Sequence, residues 1–192
     1  LATHCYCPSQ TAVRNLAYEG ITDGVYQTGD VMYDALLHYL PLARERYPVE
    51  HLVPSIPGDF LVLTLHRAEN VDHRERFEQL LQAIAVLGAP VVWPQHPRAR
   101  MRMDAFGLDV PDHVYVTDPV GYLQMLALLD GAQAVLTDSG GVQKEAYWSR
   151  TPCVTLRPET EWVETVEAGW NQLVGADGER ILSAWRPAAV PS

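Results

Sequence analysis

Three short segments place polar side chains directly after apolar runs, where a ligand could be held. Thr137-Asp138-Ser139-Gly140-Gly141-Val142-Gln143-Lys144-Glu145 follows the apolar run Ala134-Val135-Leu136 and leads into a helical pattern. Paired glycines let a ligand approach the backbone closely, and a helix start offers free N–H groups to negative charge. Ser139 can cap that helix or donate to an anion. Glu145 falls about one and a half turns further on, where it could face back toward the same mouth. The plainer alternative is a tight strand-to-helix turn with a serine cap and a solvated glutamate. Thr64-Leu65-His66-Arg67-Ala68-Glu69-Asn70 closes the most apolar run of the chain with four polar side chains. Arginine presents a planar fork to phosphate, and histidine is a proton-responsive donor. In Pro94-Gln95-His96-Pro97-Arg98 the two prolines fix a bend that exposes His96 and Arg98, although a purely structural turn explains this segment as well.

These segments need a scaffold, and the apolar rhythm predicts one. Strands are expected at 60–65, 90–93, 114–116, 134–137, 153–156 and 171–174. Helices are expected at 74–87, 98–106, 122–129, 142–149, 163–168 and 178–185. The strands are apolar throughout and do not alternate, so both their faces should be buried, as in a parallel sheet covered by helices. The fold class is therefore α/β, a doubly wound, Rossmann-like parallel sheet. A closed eightfold barrel would need about 250 residues. Ligands of such sheets sit at the carboxyl ends of the strands, where all three polar segments fall. Upstream, Cys5-Tyr6-Cys7 reads as a strand, Pro8-Ser9 opens a capped helix ended by Gly20, 24–29 is extended, and 30–39 is helical. The proline-rich stretch 41–58 reads as a connector and the one internal joint.

Composition narrows the function. The chain has 192 residues, 47% of them hydrophobic, with 14 Lys plus Arg against 24 Asp plus Glu, a formal charge of −10. That balance disfavours a general nucleic-acid binder, since phosphate backbones need an electropositive face, but it leaves room for a few basic residues on one small phosphate ligand. No apolar run is long enough to span a membrane and no secretory signal is visible, so no membrane partner is expected. Three cysteines make no disulfide framework, which favours a reduced, cytoplasmic setting. No second Cys/His pair offers zinc spacing, so no metal is expected. The absence of Gly-x-Gly-x-x-Gly, Walker-type and Gly-x-Ser-x-Gly loops gives no support to dinucleotide, P-loop or serine-hydrolase chemistry.

Taken in order, the polar segments resemble the carboxyl-terminal half of the non-hydrolysing UDP-N-acetylglucosamine 2-epimerases. The segment 64–70 is similar to that family's His-Arg-x-Glu-Asn box, and 94–98 to its Pro-x-His-Pro-Arg turn. The segment 137–145 is similar to its Thr-Asp-Ser-Gly-Gly-x-Gln-x-Glu loop. Glu161-Trp162-Val163-Glu164 with Ala168-Gly169-Trp170-Asn171 resembles its Thr-Glu-x-x-Glu…Gly segment, and 12–20 and 28–31 resemble its hinge helix and Thr-Gly-Asn segment.

The resemblance implies one half of a glycosyltransferase-B-type fold, in which two doubly wound domains enclose the active site. It divides the chain into a hinge helix and connector packed on the main domain (1–58), a UDP-binding domain (59–186) and a tail (187–192). The implied reaction interconverts UDP-N-acetylglucosamine and UDP-N-acetylmannosamine by eliminating UDP and re-adding it, with no cofactor. By motif, Ser139, Gly140 and Gly141 would donate to the diphosphate, and Glu145 would accept from the ribose. His66 would act catalytically, contacting the diphosphate and stabilising UDP as it leaves. Arg67, Glu69 and His96 are weaker candidates. Arg157 is a substitute for the arginine that some relatives carry where this chain has Trp162. Variations such as Asp30 in place of Asn also occur in relatives acting on modified UDP-sugars. The implied partners are a UDP-sugar, an amino-terminal domain carrying the proton-transfer carboxylates, and a second copy in a homodimer. Without that domain the chain is expected to be inactive. The rival readings are a glycosyltransferase of the same fold and a non-catalytic UDP-sugar binding or dimerisation module.

Overall fold

The computed structural model describes residues 2–56 and 58–185, so the expected tail lies outside the described residues. The first unit is small. Strand β1 (Cys5–Cys7), helix α1 (Gln10–Tyr18) and strand β2 (Val25–Gln27) form a parallel two-stranded sheet with its crossover. Ser9 caps α1 by accepting from the Ala12 N–H.

Helix α2 (Val31–Arg46) corrects the sequence reading. It begins at 31, one residue after the expected start, but runs through Pro41, and α3 (Val49–Leu52) follows, so the first part of the supposed connector is helix. A proline inside a helix removes one hydrogen bond and costs about 3 kcal/mol. Packing offsets it: Leu36 and Ala43 are buried against Leu126 and Ala127, with Leu40 and Tyr47 beside them. Arg44 in the last turn adds a bidentate bond to Asp130 at 2.7 Å. Asp30 caps the other end, accepting from the Met32 N–H.

The main unit is a six-stranded sheet of β3 (Leu61–Thr64), β4 (Val91–Pro94), β5 (Val114–Thr117), β6 (Ala134–Thr137), β7 (Cys153–Thr155) and β8 (Asn171–Leu173). Their order is β5-β4-β3-β6-β7-β8, and every pairing is parallel. Helices α4 (Ala68–Val71), α5 (Arg74–Ala85), α6 (Pro97–Phe106), α7 (Tyr122–Gly131), α8 (Gly140–Trp148), α9 (Val163–Glu167) and α10 (Gly178–Trp185) connect and cover it.

Alternate residues of β3, β4, β6 and β7 enter opposite layers. Leu61, Leu63, Val91, Trp93, Leu136 and Val154 meet Phe77, Leu80 and Ile84 of α5 and Ile181 of α10. Val62, Val92, Val135 and Cys153 meet Leu128 and Leu129 of α7 and Ala146 of α8. Burial on both faces explains why these strands carry no polar alternation. Each fully buried Leu or Val contributes about 1.5–3 kcal/mol, enough over this many residues to fix the register of the strand ends.

Candidate functional site

The strand order reverses between β3 and β6, which lie side by side but lead to opposite ends of the sheet. Their outgoing loops must part there, and a crevice opens beyond their carboxyl ends. The loop after β3 carries His66 and Arg67, and the loop after β6 carries Asp138 and Ser139 and leads into α8 at Gly140.

Asp138 joins the two loops. Its side chain is fully buried, and its carboxylate accepts from the backbone N–H of His66 (3.1 Å) and Arg67 (2.9 Å) and from Asn70 Nδ2 (3.1 Å). His66 Nδ1 lies 2.9 Å from its other oxygen. Burial works to raise the Asp138 pKa, but donation from the His66 ring and from the two backbone N–H groups outweighs it and holds the group below the ordinary carboxylate range. An ionised Asp138 fixes the Nδ1–H tautomer and the ring plane of His66, leaving Nε2 as the nitrogen open to a ligand. Asn70 bridges Asp138 and the Leu156 carbonyl and accepts from Arg76, so the box after β3 is tied to the end of β7 as well.

Across the crevice, Ser139 caps α8, its Oγ accepting from the Val142 N–H at 3.5 Å. Helix α8 therefore starts in the crevice with its dipole directed there. His66, His96 and Ser139 share one cleft of about 310 Å³ with Thr64, Pro94, Pro119, Val120, Met125 and Val142. The His66 and His96 rings are 5.5 Å apart. His96 also caps α6, its Nδ1 accepting from the Arg98 N–H. The cleft thus combines apolar side chains with two histidines and a helix N-terminus. That combination suits a ligand with a flat apolar part joined to an anion.

The remaining predicted residues are distributed around this core. Gly140 and Gly141 form the first turn of α8. A Cβ on Gly140 would lie 3.2 Å from Trp162 Nε1, tighter than an ordinary contact, whereas one on Gly141 would meet Met32 at an ordinary 3.6 Å. Glu145 is buried one turn deeper, and burial pushes its pKa to about 7, with partial relief from Lys144. It does not line the His66–Ser139 cleft. Arg157, at the end of β7, is bound to Glu161 through two hydrogen bonds of 3.0 and 3.1 Å and lies 3.4 Å from Glu69. Arg67 contributes its backbone N–H to Asp138, and the exposed Glu69 reaches the site only through Arg157.

The sequence reading missed the clamp residues Asp138 and Asn70, although both lie inside the quoted segments. The available signal was an aspartate ending an apolar strand, which must find donors once buried. It also missed the buried pair of Lys144 with Asp30, which ties α8 to the start of α2, with the Lys144 ammonium 3.7 Å over the Trp162 ring. Among the described residues no group of three His, Cys, Asp or Glu is placed to hold a metal, and no helix is long and apolar enough to cross a membrane.

Comparison with known proteins bears on this arrangement. The profile of the UDP-N-acetylglucosamine 2-epimerase family matches residues 1–190. A UDP-2,3-diacetamido-2,3-dideoxy-D-glucuronate 2-epimerase of Pseudomonas aeruginosa is 44% identical over 94% of this chain and 51% of its own length. A UDP-N-acetylglucosamine 2-epimerase homolog of Methanococcus maripaludis is 42% identical over 96% of this chain and 54% of its own. The crystal structure of the Methanocaldococcus jannaschii UDP-GlcNAc 2-epimerase in complex with UDP-GlcNAc and UDP superposes with a TM-score of 0.91 at 34% identity. That superposition covers 99% of this chain and 57% of the other. The fold is thus an α/β unit matching half of a glycosyltransferase-B-like 2-epimerase, and the chain spans about half the length of the curated relatives it matches. With a profile match over nearly all its residues, the chain belongs to the UDP-N-acetylglucosamine 2-epimerase family.

Proposed function

We propose that this chain is the carboxyl-terminal, nucleotide-binding half of a 2-epimerase that interconverts UDP-N-acetylglucosamine and UDP-N-acetylmannosamine. The observation that carries the reading is the cleft itself, which brings His66 from the end of β3 and Ser139 from the end of β6 together at the reversal of strand order. The uracil lies against Pro94, Val120, Met125 and Val142, and the diphosphate at the first N–H groups of α8. Glu145 accepts from the ribose hydroxyls in its ionised form. As UDP leaves the sugar, negative charge grows on its terminal phosphate. Protonated at Nε2, His66 donates to that charge while Asp138 holds the ring from behind.

Proton transfer at C2 belongs to the other half. The two-stranded sheet of β1 and β2 supports this, because Tyr6 and Tyr26 stack on one another yet stay exposed, and two parallel strands do not form a stable sheet by themselves. They fit as two strands of a sheet completed by the amino-terminal domain. Relatives whose names specify UDP-N-acetylglucosamine and a diacetamido-glucuronate derivative agree in the UDP group and a 2-acetamido sugar.

Calorimetric titration of UDP into the wild-type chain and Gly141→Val tests the site. Binding without added metal, weakened by a bulky side chain at the start of α8, is the expected outcome. Equal affinity in the two proteins would remove that loop from the binding site.

A further inference from the structure

We propose that Glu161 is an internal competitor for the diphosphate, and that Arg157 is a phosphate ligand set free when Glu161 is displaced. The proposal rests on the UDP reading of the cleft and names how occupancy of that site is controlled.

Arg157 follows β7, the neighbour of β6, so its side chain starts at the same edge of the sheet as Ser139. Its side chain is only 7% exposed, so the guanidinium cannot escape to solvent. The two Nη atoms are committed to Glu161, while Nε has no hydrogen-bond partner among the described residues and sits 3.4 Å from Glu69. Glu161 is differently placed, with 53% of its side chain exposed. Its Oε2 lies 3.5 Å from the point a Cβ on Gly140 would occupy, against the first residue of α8. The hydrogen bonds from Arg157 keep the Glu161 pKa below the ordinary range, against a smaller effect of burial, so the group stands there as an anion.

A carboxylate thus rests beside the helix start that is to receive a diphosphate. The helix dipole and Arg157 stabilise it there as they would stabilise phosphate. The two anions cannot share the place without repulsion. Of the Arg157–Glu161 pair only Glu161 can leave, since solvent is open to it and Arg157 is buried. Exchange of carboxylate for phosphate keeps the buried guanidinium paired throughout, which avoids the large penalty of an isolated buried charge. Arg157 and Glu161 thereby form a switch in which the empty site holds its own anion.

UDP affinities of the chain, measured by calorimetry for wild type, Glu161→Gln and Arg157→Lys, test the switch. Glu161→Gln should bind UDP about 5- to 10-fold more tightly, because one like charge is gone from beside the phosphates. The same gain should appear with inorganic pyrophosphate and be absent with uridine. Arg157→Lys, which keeps the charge but loses the planar fork, should bind UDP about 10-fold more weakly. Thermal melts of each variant report whether the fold is intact, since Glu161→Gln leaves the buried Arg157 a neutral acceptor in place of a carboxylate. Unchanged or weaker UDP binding by Glu161→Gln, or an equal gain with uridine, would overturn the proposal. A wild-type chain that binds no UDP would overturn the reading of the cleft itself, a result distinct from wild-type binding with no gain in the variant.

Discussion

Removing the Asp138 carboxylate should be the most damaging single polar change in the site. It accepts from four groups: the backbone N–H of His66 and Arg67, Asn70 Nδ2 and His66 Nδ1. Asn70 keeps its bond to the Leu156 carbonyl, and the half-exposed His66 ring can turn to water. The two half-buried backbone N–H groups lose their acceptor. Leaving a buried donor unsatisfied costs about 1–3 kcal/mol, so Asp138→Ala should lose about 3–5 kcal/mol. That is a large share of the roughly 5–15 kcal/mol that stabilises a domain of this kind. Asp138→Asn should be milder for the fold, because its oxygen can still accept from the two backbone N–H groups while its amide nitrogen faces His66 Nδ1, which must then accept as the other tautomer. Urea unfolding followed by circular dichroism gives the difference directly. The pH dependence adds a second readout. The folded pKa of Asp138 lies below its unfolded value of about 3.9, so its contribution is complete above that pH and fades as pH falls through the folded value. Asp138→Asn should therefore show a flatter acid limb than wild type. A loss below about 1 kcal/mol in Asp138→Ala, with an unchanged acid limb in Asp138→Asn, would refute the clamp.

Three further outcomes follow from the same geometry. With its pKa raised to about 7 by burial, Glu145 favours folding below its unfolded value of about 4.3 and loses that contribution as pH rises through about 7. Glu145→Gln should accordingly gain stability relative to wild type at pH 8, while the rise in UDP affinity through about pH 7 that ribose binding to the ionised group requires should vanish; thermal melts and calorimetry read the two effects. Gly140→Ala drives a Cβ to 3.2 Å from Trp162 Nε1, itself held by Lys144, and should cost about 1–3 kcal/mol in urea unfolding, more than Gly141→Ala. Asp30→Asn keeps a helix cap for α2 but strands the buried Lys144 charge, so a loss of about 3–5 kcal/mol is expected, with Lys144→Met milder because Asp30 retains the Met32 N–H.

Much of the scaffold was legible in the sequence because strands buried on both faces write themselves as unbroken apolar runs. Phe60 to Leu65 and Ala134 to Thr137 could be placed within a residue or two for that reason. Helix α2 was cut short because Pro41 is a strong local signal, and the packing of Leu36 and Ala43 on α7 that overrides it is a tertiary fact. The short helices α3 and α4 are single turns, too brief to show a period. In the site, the segments carrying His66, His96 and Ser139 were visible as polar groups at strand ends, and the strand order brings them together. Asp138 and Asn70 stayed hidden because their role depends on donors some 70 residues away in sequence. The engagement of Arg157 by Glu161 was equally invisible, since Arg157 alone reads as an arginine free to meet the ligand and Glu161 as a solvated charge.

In the proposed division of labour this chain supplies nucleotide binding and departure of UDP, while the other half supplies the proton transfer. Solvent deuterium incorporation at C2 of UDP-N-acetylglucosamine tests it most directly. It would be measured for the chain alone and for the chain fused to the amino-terminal half of the Methanocaldococcus jannaschii relative. UDP binding without exchange is expected of the chain alone, and exchange of the fusion, falling on His66→Ala through turnover more than through binding. Exchange by the chain alone at a rate near that of the fusion, or a fusion that binds UDP and leaves C2 unlabelled, would contradict it.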